Sequence, residues 1–269
     1  MNNYKQIYVD VTLDCNLSCN VCYTGEKKKE YIDINYFESI CKNLPNKVII
    51  RLVGGEPTIH PEIFEIIQIV KKYKHIASLA SNGITFNNLE WVKELHKVNP
   101  LLLINISVDG GMNNKNAYHI ISGKDLTNIK MNAIENINLV GFKRMSLGML
   151  LVKNLNENVI DDLLELQKKF KNVRYLFIRN LIKTGRYPEN IESYDFEEMR
   201  LLVSSKIKKE IISEKFRCDS CYKCNSCKIY EIKNCQVGIG FHKNSINCSF
   251  RGKLENNGKI TSCFRSLYD

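Results

Sequence analysis

The sequence predicts an α/β protein, a partial (β/α)6 barrel followed by a small cysteine-rich C-terminal domain. Three observations predict it. Short β-rich runs alternate with helical patterns six times before residue 190. Hydrophobic residues make up 44% and charged residues 25% of the 269, the balance of a chain with a buried core. The 11 cysteines are uneven: three at 15–22, then Cys41, then seven between 218 and 263.

The elements follow in order. Residues 6–12 read as a strand and 34–44 as a helix with Asp33 as N-cap. The branched run 48–53 is a buried strand, and Pro61 suits the first turn of a helix reaching Lys74. Residues 77–80 are a strand, 87–97 a helix and 101–108 a strand. A helix over 126–140 follows Asp125, then a strand over 144–152. Asn156 caps a helix to Phe170, and 173–178 is the sixth strand. Regular alternation implies parallel strands with right-handed crossovers, and six units give an incomplete barrel. The site then lies at the carboxyl ends of the strands. Residues 1–190 form this core, 191–213 a linking helix, and 214–269 the cysteine-rich domain. A hairpin is expected there, over 250–263, turning at Asn256-Asn257-Gly258.

No run approaches the ~18 apolar residues of a membrane span, and the first ten residues do not read as a secretory signal. A cytoplasmic protein without a membrane partner is expected, so clustered cysteines read as metal ligands rather than disulfides. The net charge is +10, from lysines scattered along the chain. Without a basic block interleaved with aromatics, no nucleic-acid partner is expected. Cys41 shares a helix face with Phe37 and Leu44 and reads as a core thiol. His60 and His119 are given no role and read as surface or capping residues.

Two loops carry chemistry. Cys15, Cys19 and Cys22 follow the first strand as Cys-x3-Cys-x2-Cys. Three thiolates can hold three corners of a [4Fe–4S] cluster and leave the fourth iron open to a small molecule; a zinc site completed by a distant ligand such as His60 is the alternative. Gly54-Gly55-Glu56-Pro57 follows the second strand, with glycines permitting close approach and Glu56 able to accept from an ammonium group.

In these motifs the chain resembles radical S-adenosylmethionine (SAM) enzymes, over roughly residues 5–190. The resemblance implies that Cys15, Cys19 and Cys22 hold the cluster. It implies that Gly54, Gly55, Glu56 and Pro57 bind the methionine amino group, and that Tyr23 lies by the adenine. Ser81-Asn82-Gly83 and Ser107-x-Asp109-Gly110 resemble the family's next two strand ends, placing Ser81, Asn82, Ser107 and Asp109 by the cofactor. One departure stands out: related sequences often carry Arg before the following glycine, where this chain has Ser122-Gly123. Lys153-Asn154-Leu155-Asn156 and Gly185-Arg186 resemble the fifth and sixth units.

At the C-terminus, Cys248-x9-Gly258-x4-Cys263 resembles the opening of the auxiliary-cluster domains called SPASM or twitch. Cys218, Cys221, Cys224 and Cys227 are spaced by two residues each, and Cys235 follows. These seven are candidate ligands of one or more auxiliary iron–sulfur clusters, with a four-cysteine zinc site as the alternative. The implied reaction is reductive cleavage of SAM to a 5′-deoxyadenosyl radical that abstracts hydrogen from substrate. A ribosomally made peptide, cross-linked or epimerised, is the first substrate expectation, and a sugar, nucleotide or other small molecule the second. A non-catalytic iron–sulfur or zinc module is the remaining alternative. A reductant such as flavodoxin or ferredoxin is the expected partner. The chain begins almost at its first strand, so a peptide would need a separate leader-binding protein or direct docking.

Overall fold

The computed structural model describes residues 4–45, 47–181, 185–216, 227–240, 251–254 and 258–262. Six parallel strands form its centre: β1 (Gln6–Thr12), β2 (Ile49–Gly54), β3 (Ile76–Ser81), β4 (Leu103–Ser107), β5 (Met145–Leu151) and β6 (Val173–Asn180). The helices between them are α1 (Ile34–Asn43), α2 (Ile63–Lys72), α3 (Leu89–Val98), α4 (Lys115–Ser122), α5 (Thr127–Val140) and α6 (Val159–Lys169). Asp33 caps α1 as expected, its side chain accepting from Tyr36 N at 2.7 Å. Helix α4 was not expected. Asn114 caps it by accepting from Ala117 N at 2.9 Å, and Gly123 ends it in the left-handed conformation.

Asn156 does not cap α6. It is fully buried, accepts from Val152 N at 2.9 Å, and donates to the carbonyls of Asp109 and Leu150 at 2.9 and 2.8 Å. A buried amide with such partners ties the ends of β4 and β5 together.

Strand parity divides the sheet. Ile7, Val9, Val11, Ile50, Leu52, Leu79, Ile104, Leu147, Met149, Leu176 and Ile178 join one apolar core, the face that the helices cover. The alternate residues face the barrel lumen, and the register carries that parity from strand to strand, with Tyr8 beside Arg51, Ser146 beside Tyr175 and Leu150 beside Arg179.

The described C-terminal strands do not make a sheet of their own. After α7 (Phe196–Ile207) come β7 (Ser213–Phe216), β8 (Cys227–Ile232) and β9 (Cys235–Gly240), and β9 pairs parallel with β6. Helix α7 opens with a capping box, Asp195 with Glu198, and a 3-10 turn ends it at Glu210, short of the expected Ser213. The expected hairpin is present as β10 (Arg251–Leu254) and β11 (Ile260–Ser262), with β10 pairing parallel with β1. The strand order is β11-β10-β1-β2-β3-β4-β5-β6-β9-β8-β7. Residues expected to stand apart thus extend both edges of the core sheet. The physical reason is the cost of unpaired edges: β1 and β6 would each leave a row of backbone groups without strand partners.

Five strands separate β10 from β6 in that order. Even so, the Arg251 guanidinium lies 5.8 Å from the Phe177 ring centroid. Only a curled sheet brings them together across its concave face. This is the partial barrel the sequence predicts.

Candidate active site

The site gathers at the carboxyl ends of β1 to β4. The chain leaving β1 is clamped against the chain leaving β2. Gly55 N donates to Thr12 O and Glu56 N to Asp14 O, both at 2.8 Å. A Cβ on Gly54 would sit 2.0 Å from Thr12 O, and one on Gly55 2.0 Å from Asp14 O, so no side chain fits at either position. The two motifs therefore make one structure.

The cysteine loop is held from three sides. Val21 N donates to Ile121 O at 3.1 Å, and the Asn20 side chain donates to the carbonyls of His119 and Ile120 at 3.2 and 3.1 Å, at the carboxyl end of α4. Cys22 and Arg186 exchange two backbone bonds of 2.8 Å. Gly185 has φ +71, and a Cβ there would meet Cys22 O at 2.3 Å. Asn82 donates through its side chain to Asn16 Oδ1 at 2.7 Å and reaches Cys15 Sγ at 3.9 Å.

The three thiols are each half-buried. Burial pushes the Cys15 thiol up, and it pushes Cys19 up to about 11 with help from the charges of Asp109, Cys15 and Cys22. Among the described residues no three His, Cys, Asp or Glu side chains converge as on a single ion. A cubic cluster spaces its thiolates more widely than one ion does, and its iron offsets the mutual repulsion that disfavours thiolate here. The donor set fits such a cluster.

Glu56 is 1% exposed. Its Oε1 accepts from Thr58 N at 3.1 Å and Thr58 Oγ at 2.6 Å, and its Oε2 accepts from Asn82 N at 2.6 Å. Burial pushes its carboxyl up against these donors. Pro57 opens the 3-10 turn that Glu56 caps. Asp109 is also buried; its Oδ1 accepts from Leu150 N at 2.8 Å, and burial again pushes the carboxyl up. The Ser81 hydroxyl accepts from Gly83 N at 2.9 Å and so braces the Asn82 turn. Tyr23 donates to Gly54 O at 3.1 Å. The residue is 40% exposed, while burial of the hydroxyl end pushes the phenol up.

One residue of this site was missed from sequence. Lys130 on α5 is 1% exposed, and its ammonium donates to Asn82 O and, at 3.2 Å, to Ser107 Oγ. The signal was present: Lys130 falls on the same face as Ala133, Ile134 and Ile137, an apolar stripe on which a lysine needs a reason.

A family described as the Radical SAM superfamily matches residues 9–166. The chain belongs to that superfamily. Such enzymes use a [4Fe–4S] cluster and SAM, as the cysteine and glycine loops imply.

The chain is 30% identical over 191 residues to 7,8-dihydro-6-hydroxymethylpterin dimethyltransferase of Methanocaldococcus jannaschii, covering 67% of this chain and 37% of that protein. It is 28% identical over 279 residues to GTP 3′,8-cyclase of Clostridium botulinum, covering 96% and 80%. Among solved structures, Streptococcus suis SuiB bound to S-adenosylmethionine superposes at a TM-score of 0.71 with 14% identity, covering 100% of this chain and 62% of SuiB. That likeness shows the fold.

The auxiliary ligands divide. Cys218, Cys221, Cys224, Cys248 and Cys263 lie outside the described residues. Cys227 and Cys235 are described, and they do not meet. In the β8–β9 ladder Cys227 pairs with Gly240 and Cys235 with Ile232, five residues apart along β8, or ~17 Å at strand rise. Cys227 is on the lumen-facing register, level with Arg179 at the cofactor end of β6. Cys235 joins the apolar core at the other end, where burial pushes its thiol up to about 12. The sequence leaves the pairing of the seven cysteines open, and these two lie too far apart to share one metal centre. Cys41 is a core thiol as expected. His60 is not a surface residue: it is 2% exposed and caps a turn, its Nδ1 accepting from Glu62 N at 3.0 Å.

Proposed function

We propose that this radical SAM enzyme takes hydrogen from a small anionic molecule held in the barrel lumen, a nucleotide being the leading class. The lumen-facing side chains carry the reading. Among the described positions of β1 to β6, β9 and β10 with lumen parity, the charged residues are Arg51, Arg179, Arg251 and Lys253 against Asp10. Asp10 pairs with Lys253 at 3.2 Å. Arg179 and Arg251 both lie against Phe177, at 5.3 and 5.8 Å from its centroid. A cavity with several cations and one carboxylate draws in anions. The names of the two sequence relatives, a GTP cyclase and a pterin methyltransferase, support a nucleotide or related heterocycle.

When bound, the cluster and SAM supply a one-electron cleavage that delivers a 5′-deoxyadenosyl radical. The protein's part is positional. Glu56, fixed by Thr58 and Asn82, presents a buried carboxylate to the methionine ammonium, and Tyr23 flanks the cluster loop on the side assigned to adenine. Asn156 and Asp109 hold the β4 and β5 ends rigid, which limits water and stray hydrogen donors. A flavodoxin or ferredoxin would supply the electron, consistent with a cytoplasmic setting; no described helix is long and apolar enough to cross a membrane. The C-terminal cysteines, Cys227 among them, would hold an auxiliary cluster in a SPASM- or twitch-like arrangement.

A second reading is oxidative cross-linking or epimerisation of a ribosomally made peptide. SuiB bound to its precursor peptide superposes on 98% of this chain at a TM-score of 0.69, which supports a lumen able to admit one. Anaerobic reconstitution, then dithionite, SAM and candidate substrates, tests both. Wild-type protein should form 5′-deoxyadenosine and Cys19→Ala none. Nucleoside triphosphates should stimulate cleavage where neutral nucleosides and short peptides do not, and Arg179→Gln should raise the triphosphate KM about tenfold. Equal stimulation by an uncharged peptide, with Arg179→Gln silent, would sink the nucleotide reading.

A further inference from the structure

We propose that Lys130 is a charge-compensating residue of the cluster site, setting how readily the cluster accepts its electron. The inference rests on the cluster reading of Cys15, Cys19 and Cys22. Lys130 is the one buried lysine among the described residues. Its ammonium is anchored by two neutral acceptors, the carbonyl of Asn82 and the hydroxyl of Ser107. The groups that act on it electrostatically are all acidic: Asp109, Glu56, Cys19 and Cys15. Burying a lysine is costly, and two neutral hydrogen bonds do not offset that cost. Burial pulls the ammonium below the usual lysine range, and the negative groups enclosed with it pull the other way.

Three cysteine thiolates on a four-iron cluster are an anionic assembly, and reduction adds one electron and no compensating proton. A fixed positive charge in a low-dielectric setting stabilises the reduced state more than the oxidised one. Net charge, hydrogen bonding and solvent exposure are the levers that set iron–sulfur potentials. Lys130 supplies the first from outside the loop. It also supports the second, because the Asn82 carbonyl it holds belongs to the residue whose side-chain amide reaches Cys15 Sγ.

The test is a potentiometric titration of the reconstituted cluster, without substrate, followed by electron paramagnetic resonance. Lys130→Gln keeps a donor for Asn82 and removes the charge. Lys130→Met removes both and suits the apolar stripe. Lys130→Arg keeps the charge. The Gln and Met variants should lose about tenfold in the equilibrium constant for reduction, a shift of ~59 mV to lower potential for a one-electron couple. Lys130→Arg should stay near wild type. A Gln variant at the wild-type potential overturns the proposal, as does loss of SAM affinity with the potential unchanged, which would make Lys130 a SAM ligand instead. If the wild type assembles no iron–sulfur spectrum, the cluster reading itself has failed, a different result from an unmoved potential.

Discussion

Glu56 Oε2 accepts from the Asn82 backbone N–H at 2.6 Å, joining the end of β2 to the end of β3 through a side chain that must also meet a ligand. The same Asn82 accepts at its carbonyl from Lys130. One peptide segment thus reports to a buried acid on one side and a buried base on the other. Glu56→Ala should orphan the Thr58 and Asn82 donors at about 1–3 kcal/mol each. Glu56→Gln should fold better and still lose SAM affinity. Thermal unfolding and calorimetric SAM titration of both variants separate the two effects.

Gly185 is placed where an added Cβ would strike the Cys22 carbonyl. Gly185→Ala should break the paired backbone bonds between Cys22 and Arg186. The expected outcome is a loss of about 1–3 kcal/mol and an iron content per chain well below wild type after anaerobic reconstitution. Iron and sulfide assays check it.

Glu56 and Asp109 share a sign in their pH dependence. Burial raises both carboxyls above their ordinary values, so the folded chain binds more protons than the unfolded chain. Their contribution to stability is therefore most favourable below the ordinary carboxyl range, about pH 4, and is lost as pH rises through the folded values. In urea melts of the cofactor-free protein, Asp109→Asn should flatten this part of the pH profile. A variant profile parallel to wild type would contradict the burial effect.

Cys227 and Cys235 give opposite expectations. Cys227→Ala should lower the auxiliary iron content. Cys235→Ala should leave iron unchanged and cost stability through a small core cavity, about 1 kcal/mol. Iron analysis on a Cys15/Cys19/Cys22-to-Ala background isolates the auxiliary signal.

The order of six β/α units was legible from the sequence alone, because residues 6–12, 48–53 and 101–108 are stretches dense in apolar and branched residues and too short for helices. The cysteine loop and Gly-Gly-Glu-Pro were legible too, since each needs particular residues at fixed local spacing. Helix α4 was missed although its signals were present, Asn114 as cap, Gly123 at its end and Ala117, Tyr118 and Ile121 on one buried face; eight residues give only about two turns in which to show a period. The β8–β9 hairpin was masked by its cysteines, although Ile229, Tyr230 and Ile232 carry strand signals and Asn234 a turn signal.

The sequence by itself determined the parallel core, the cofactor motifs and the superfamily. Tertiary structure alone decided that C-terminal strands extend both edges of the sheet, that Cys227 and Cys235 part company, and that Lys130 stands beside the cysteine loop. The physical reason is range. Ligand spacing and capping are set by neighbours along the chain, whereas edge pairing, strand parity and the burial of a charge depend on segments far apart in sequence, such as Lys130 and Asn82 or Arg251 and Phe177.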